Sequence, residues 1–124
     1  MHSLITTMCG LAAAALAGIG LFALFAPGRL ARSYGVPVDH GASRAFVRTT
    51  GVRDAVIGAL LAFGVLTRDA RLLQVIAISG LAISLADLTI AWQFAHGFRR
   101  AHLAHLGGAV GFAVIIALLR ASVP

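Results

Sequence analysis

Neither lysine nor glutamate occurs in this chain of 124 residues, cysteine occurs once, and charged residues of every kind make up 11%. Each scarcity excludes something. With Cys9 alone, no disulfide framework and no cysteine metal site can form within the chain, and its apolar neighbours mark it as an inert buried thiol. The four acidic residues are all Asp and the ten basic ones all Arg, giving a formal charge of +6. These arginines lie scattered between apolar blocks, so no basic face with interleaved aromatics can be assembled and no nucleic-acid partner is expected. The Arg-only usage, with abundant Gly and Ala, fits a GC-rich coding genome and by itself says little about function. What the chain has in quantity is apolar surface: hydrophobic residues reach 60%, well outside the balance of a soluble domain.

That surface falls into four blocks. Leu4 to Ala26 is an uncharged run, long enough at ~1.5 Å per residue to cross a hydrocarbon core of ~30 Å. A cleaved signal peptide would need a basic start and a shorter core, whereas Met1-His2-Ser3 carries no Lys or Arg and Pro27 follows the obvious cut. Pro27-Gly28 should end this helix, and Arg29 to Arg44, with Gly35, Pro37, Asp39, His40 and Gly41, reads as a polar connection whose Leu30 to Tyr34 portion lies at the interface. Further spans are expected over residues 46–66, 72–95 and 103–119, separated by the Thr67-Arg68-Asp69 turn and by His96 to Arg100. The expected fold is all-α: one domain over residues 1–124, a four-helix transmembrane bundle with the lipid bilayer as its first partner. Arg29, Arg32, Arg44, Arg48, Arg99 and Arg100 stand at the first and third connections, against Arg68, Arg71 and Arg120 at the other side. That bias places both termini outside the cell membrane.

Small residues recur at helical spacing in every span: Gly10, Ala14 and Gly18; Gly51, Ala55 and Gly58; Gly80, Ser84 and Ala91; Gly107 and Gly111. Such stripes let helix backbones approach closely, and they also leave room for a homo-oligomer. Ionisable residues are set among them. Asp54 lies seven or eight residues into the second span and Asp87 about eight residues from the third connection, so both sit ~10–12 Å deep on the same side. His105 comes in from that side one turn below His102, and Arg53 adjoins Asp54. A carboxylate in mid-span costs ~2.5–3.5 kcal/mol on insertion scales, so both Asp residues should face inward and find partners.

The bland reading is that an Arg ties Asp54 and Asp87 together and merely fixes the packing. Arg53 could instead snorkel toward lipid phosphate, and its ~100° offset from Asp54 argues against those two neighbours pairing. The functional reading makes Arg53, Asp54, Asp87 and His105 a catalytic set, with Thr50, Ser84 and His102 around a bound molecule. One Asp would hold a proton for donation while the other, beside Arg53 and His105, helps to activate water. A proton-coupled carrier could use the same carboxylates. No cofactor is expected. His102 and His105, with His96 upstream, lack a matching second pair of ligands, so no metal site is expected either. Phe22, Phe25, Phe46, Phe63, Phe94, Phe98 and Phe112 read as packing or lipid contacts, and Trp92 and Tyr34 as interfacial anchors.

The run Gly51-Val-Arg53-Asp54-Ala-Val-Ile-Gly58, followed by Asp87 in the third span and His105 opening the fourth, resembles a family of small bacterial and fungal four-helix membrane proteins classed as a domain of unknown function. The resemblance covers most of the chain. Fungal proteins of this shape are associated with secondary metabolism, including epoxide opening, and the resemblance therefore implies acid-base chemistry, epoxide hydrolysis or isomerisation, on a lipophilic small molecule. Small multidrug exporters differ in carrying a membrane Glu in their first helix, and small fluoride channels in the distribution of their polar pore residues.

Overall fold

The computed structural model describes residues 3–34, 36, 38, 41–94 and 100–122. Five helices make up the described chain: α1 (Ser3–Phe25), α2 (Pro27–Ser33), α3 (Gly41–Thr67), α4 (Ala70–Phe94) and α5 (Arg100–Ala121). All but α2 are long and apolar enough to cross a membrane. The protein is thus an all-α, multi-pass membrane protein. Its outer surface agrees, since Leu11, Phe22, Phe63, Val75, Ile78 and Val110 are all exposed where a soluble protein would place polar groups.

Helix boundaries depart from the expected spans in one informative place. Pro27 does not simply end the first helix; it opens α2, where its fixed φ and missing N–H suit a first turn, and Ala26 alone separates the two helices. The connection expected from Arg29 to Arg44 is therefore partly helical. Gly35, Pro37, Asp39 and His40 of that connection lie outside the described residues, as do Met1, His2 and the segment from Ala95 to Arg99 that contains His96, Phe98 and Arg99. α3 begins at Gly41, five residues before Phe46, so Asp54 stands near the middle of a 27-residue helix. At ~1.5 Å per residue that helix is ~40 Å long, ~10 Å more than a hydrocarbon core, and Arg44 and Arg48 stand among its first eight residues.

The turn from α3 to α4 is tight and fully accounted for. Arg68 adopts φ 55°, and the Asp69 amide donates to the Gly64 carbonyl while the Arg68 amide donates to Val65, the bond pattern of a left-handed helix stop. The Asp69 carboxylate then accepts from the Leu72 amide at 3.0 Å and caps α4.

Packing is uneven. α1 lies along α3 and α4 along α5, each as a close antiparallel pair, while the two pairs meet along a thinner seam. In the first pair Gly20 meets Gly51 and Ala55, and Gly58 meets Ala13 and Ala17, backbone on backbone. In the second, Gly80 receives the ring of Phe112 and Gly108 receives Ser84. Half of the expected small-residue stripes are not used in this way. Gly10, Gly18, Gly107 and Gly111 look into open space and Ala14 is exposed, because the close-packed face of α1 is the one carrying Cys9, Ala13 and Gly20. A single apolar cluster, including Ile5, Cys9, Leu61, Leu73, Ile115 and Leu119, closes all four spans together at the end that holds the α3–α4 turn, the start of α1 and the end of α5. Toward the other end the two pairs are joined by polar contacts instead.

Candidate functional site

Those contacts centre on Arg53. Asp87 sits on the α5-facing side of α4, seven residues before Phe94 and so ~10 Å from that helix end. Arg53 reaches it across the seam between the pairs: Nη2 donates to Oδ2 at 2.7 Å and Nη1 to Oδ1 at 3.2 Å, a two-pronged guanidinium–carboxylate contact. The third direction of the same guanidinium is also used, as Nε donates to Asp54 Oδ1 at 3.2 Å. His105, one turn into α5, holds Nδ1 3.9 Å from Asp87 Oδ2, beyond hydrogen-bond range but within reach of a small ring movement. Side-chain exposures of 35% for Arg53, 20% for Asp54, 21% for Asp87 and 30% for His105 leave each group partly open, so an outside molecule can touch the cluster.

For Arg53, the structure departs from one alternative and corrects one expectation. Arg53 does not snorkel to the interface, because Asp87 offers both carboxylate oxygens at the right separation for its fork. It also pairs with its sequence neighbour: the ~100° offset separates the Cβ directions, but the long Arg side chain folds back far enough for Nε to meet the short Asp side chain.

The remaining expected residues divide. Thr50 gives its hydroxyl to its own helix, at 3.1 Å from the Phe46 carbonyl, and makes no hydrogen bond to the cluster. Ser84 packs against Gly108, one turn below Asp87 along the α4–α5 seam. His102 is almost fully buried, with the ring of Trp92 edge-on at 5.2 Å, so Trp92, though itself largely exposed, packs across the α4–α5 seam one turn from His105. Among the described residues no three His, Cys, Asp or Glu side chains stand close enough to hold a metal, and His96 is outside them. A shallow groove lined by Leu88, Thr89, Trp92 and Gln93 runs along the outer face of α4, one residue round from Asp87.

Two interactions near this end of the bundle were not legible in the sequence. Arg48 read as one more topological charge, yet its Nε donates at 3.2 Å to the Leu24 carbonyl and so satisfies an open end of α1. Tyr34, which closes α2, is half-buried; burial first and the Asp54 charge second push its phenol above the ordinary value of 10.0. Nothing in a lone Tyr after a polar helix signals that link.

Because Tyr34 is the single tyrosine, its ionisation can be followed by ultraviolet absorbance without ambiguity. Titration of Asp54→Asn should give a phenol pKa lower than that of the parent, while still raised by burial. An identical titration curve would mean that Asp54 exerts no charge on the mouth of the site. The unfolded phenol ionises first, so this residue's contribution to stability falls as the pH rises past 10.

Comparison with known proteins adds one finding. No curated protein and no solved structure matches the chain. One family model does, over residues 13–119, from the middle of α1 to the last turn of α5, and so across every residue of the cluster. The chain belongs to the DUF4267 family, a domain of unknown function.

Proposed function

We propose that the cluster of Arg53, Asp54, Asp87 and His105 is an intramembrane acid-base site acting on a small lipophilic molecule, with epoxide hydrolysis or isomerisation as its reaction. The observation that carries this reading is a charge count: two carboxylates share one guanidinium. In a region poor in water the set approaches neutrality only by holding one further proton, on Asp54 or His105. A shared proton that can rest on either of two partly exposed groups is what donation and recovery of a proton require.

The geometry divides the roles. Asp87 is committed through both oxygens to Arg53, while its Oδ2 faces His105 Nδ1 and can orient the imidazole as that gap closes. His105 Nε2 is then the base for a water molecule. Asp54 accepts from Arg53 through Oδ1 alone, so its second oxygen can carry the proton that goes to the epoxide oxygen. In hydrolysis the water oxygen forms a bond to one ring carbon while that carbon's bond to the ring oxygen breaks. His105 takes the water proton, Asp54 protonates the ring oxygen, and the proton on His105 returns to Asp54. In isomerisation the base would instead take a proton from carbon. The substrate would approach laterally from the bilayer, with the Arg-rich end of the bundle on the cytoplasmic side and both termini outside the cell membrane.

The test uses protein purified in mild detergent, native mass spectrometry of co-purifying small molecules, and turnover of a panel of lipophilic epoxides. Asp54→Asn and His105→Gln should lose turnover while keeping the bound molecule and the fold. Equal turnover in the parent and both variants would sink the reading. Asp87→Asn is the poorer probe, since it also strips Arg53 of its main partner.

A proton-coupled carrier is the second reading. It is favoured by the two close helix pairs meeting along a thin seam, sealed by apolar residues at one end and bridged by ions at the other, an arrangement suited to rocking. Asp54→Asn would then flatten the pH dependence of uptake into vesicles and leave no chemical product to find.

A further inference from the structure

We propose that the surface formed by α2 and the first turns of α3 binds an anionic phospholipid of the surrounding bilayer, its phosphate held by Arg29, Arg32, Arg44 and Arg48. This surface is separate from the Arg53 cluster and does not depend on what that cluster does.

No described carboxylate neutralises these four arginines. All four side chains are exposed, and among the described residues none forms an ion pair. Asp54 and Asp87, the described carboxylates on this side of the bundle, are both taken by Arg53, so among the described residues the deep arginine is neutralised and the shallow ones are not.

Spacing then brings the four together. Arg29 and Arg32 are three apart on α2, and Arg44 and Arg48 four apart on α3, so each pair shares a helix face. α2 packs on both α1 and α3, so the two pairs stand on neighbouring helices at the same end of the bundle. Arg48 is pinned by its Nε bond to Leu24, and its Nη groups make no hydrogen bond among the described residues. α3 is ~10 Å longer than a hydrocarbon core, and Arg44 and Arg48 stand among its first eight residues, a position suited to phosphate depth.

The occupant is identified by what lies beneath. Phe22 and Phe25, both exposed, form the last turn of α1 and come immediately before the arginines of α2 on the bilayer side. A phosphodiester above and acyl chains below match this order of groups, whereas a free phosphate would use only the upper half. Arginine forks suit phosphate oxygens, and each basic residue near an anionic surface adds about 1 kcal/mol of attraction.

The experiment compares the parent protein, the triple variant Arg29→Gln/Arg32→Gln/Arg44→Gln, and Arg71→Gln/Arg120→Gln from the opposite end. Arg48 is left intact because of its bond to α1. Each is delipidated in mild detergent and titrated with phosphatidylglycerol, phosphatidylcholine or inorganic phosphate, with adducts counted by native mass spectrometry and thermal unfolding followed in parallel. The parent and the opposite-end variant should retain phosphatidylglycerol at least tenfold better than phosphatidylcholine and gain thermal stability from it. The triple variant should lose that preference while unfolding at the parent's temperature in detergent alone. Equal retention of the two lipids by the parent, or an unchanged preference in the triple variant, overturns the proposal. So does inorganic phosphate reproducing the full stabilisation, which would mark a simple anion site.

Discussion

Arg53→Met should loosen the bundle more than any other single change among its polar residues, lowering stability by about 1–3 kcal/mol. Deep burial would argue for a larger figure, but the Arg53 side chain is 35% exposed and water or headgroups can relieve part of the loss. The cost does not come from the missing attraction alone. Removing the guanidinium strands two carboxylates at once, Asp54 and Asp87, in a setting that stabilises charge poorly. The triple change Arg53→Met/Asp54→Asn/Asp87→Leu should therefore recover most of the lost stability, since taking away every member of an ion cluster is cheaper than orphaning some of them. Arg53→Lys should fall between, because an ammonium keeps the charge but cannot engage both Asp87 oxygens and Asp54 together. Thermal unfolding in mild detergent, followed by the fluorescence of the single Trp92, separates the four proteins. Parent-like stability of Arg53→Met would show that the crossing contact does not join the helix pairs.

Gly58→Leu should be worse still, by about 3 kcal/mol or more, and should separate α3 from α1. A Cβ at this position would stand 2.8 Å from both the Ala13 carbonyl oxygen and the Ala17 nitrogen, atoms of backbone that cannot swing aside. Gly20 is in the same condition against Gly51 and Ala55. The matched controls are Gly10→Leu and Gly18→Leu, which add the same side chain on the same pair of helices where nothing lies within 4 Å. These should unfold at the parent's temperature. If all three variants behaved alike, the close crossing of α1 and α3 would be refuted.

Much of this architecture was legible in the amino acids because the bilayer simplifies the reading. Uninterrupted apolar runs can hardly be anything but spanning helices, and a carboxylate in such a run must turn inward, so Asp54 and Asp87 announced themselves. The errors arose where the reading relied on period alone. Gly10, Ala14 and Gly18 repeat as regularly as Ala13, Ala17 and Gly20, and nothing in the spacing says which of two adjacent stripes meets α3; the partner surface decides, and here it is the one that Gly51 and Gly58 offer. Likewise, the Cβ offset between Arg53 and Asp54 was sound, but the conclusion drawn from it ignored the length of the Arg side chain. The α2 helix was hidden because Pro27 serves equally as a stop signal and as a first residue.

The contact between Arg53 and Asp54 has a further consequence once synthesis is considered. α3 is the least apolar of the spans, with mean hydropathy 1.5 against 2.2 for α1, and it leaves the ribosome before α4 exists. During that interval Asp87 is not yet made, and the carboxylate Arg53 touches within the first helix pair is Asp54. Beside α1 the Arg53–Asp54 pair adds no net charge to the interior of α3, whose other arginines, Arg44 and Arg48, stand near its start. Asp87 then arrives to claim the other two guanidinium nitrogens, so that the contact with Asp54 precedes the one that joins the helix pairs.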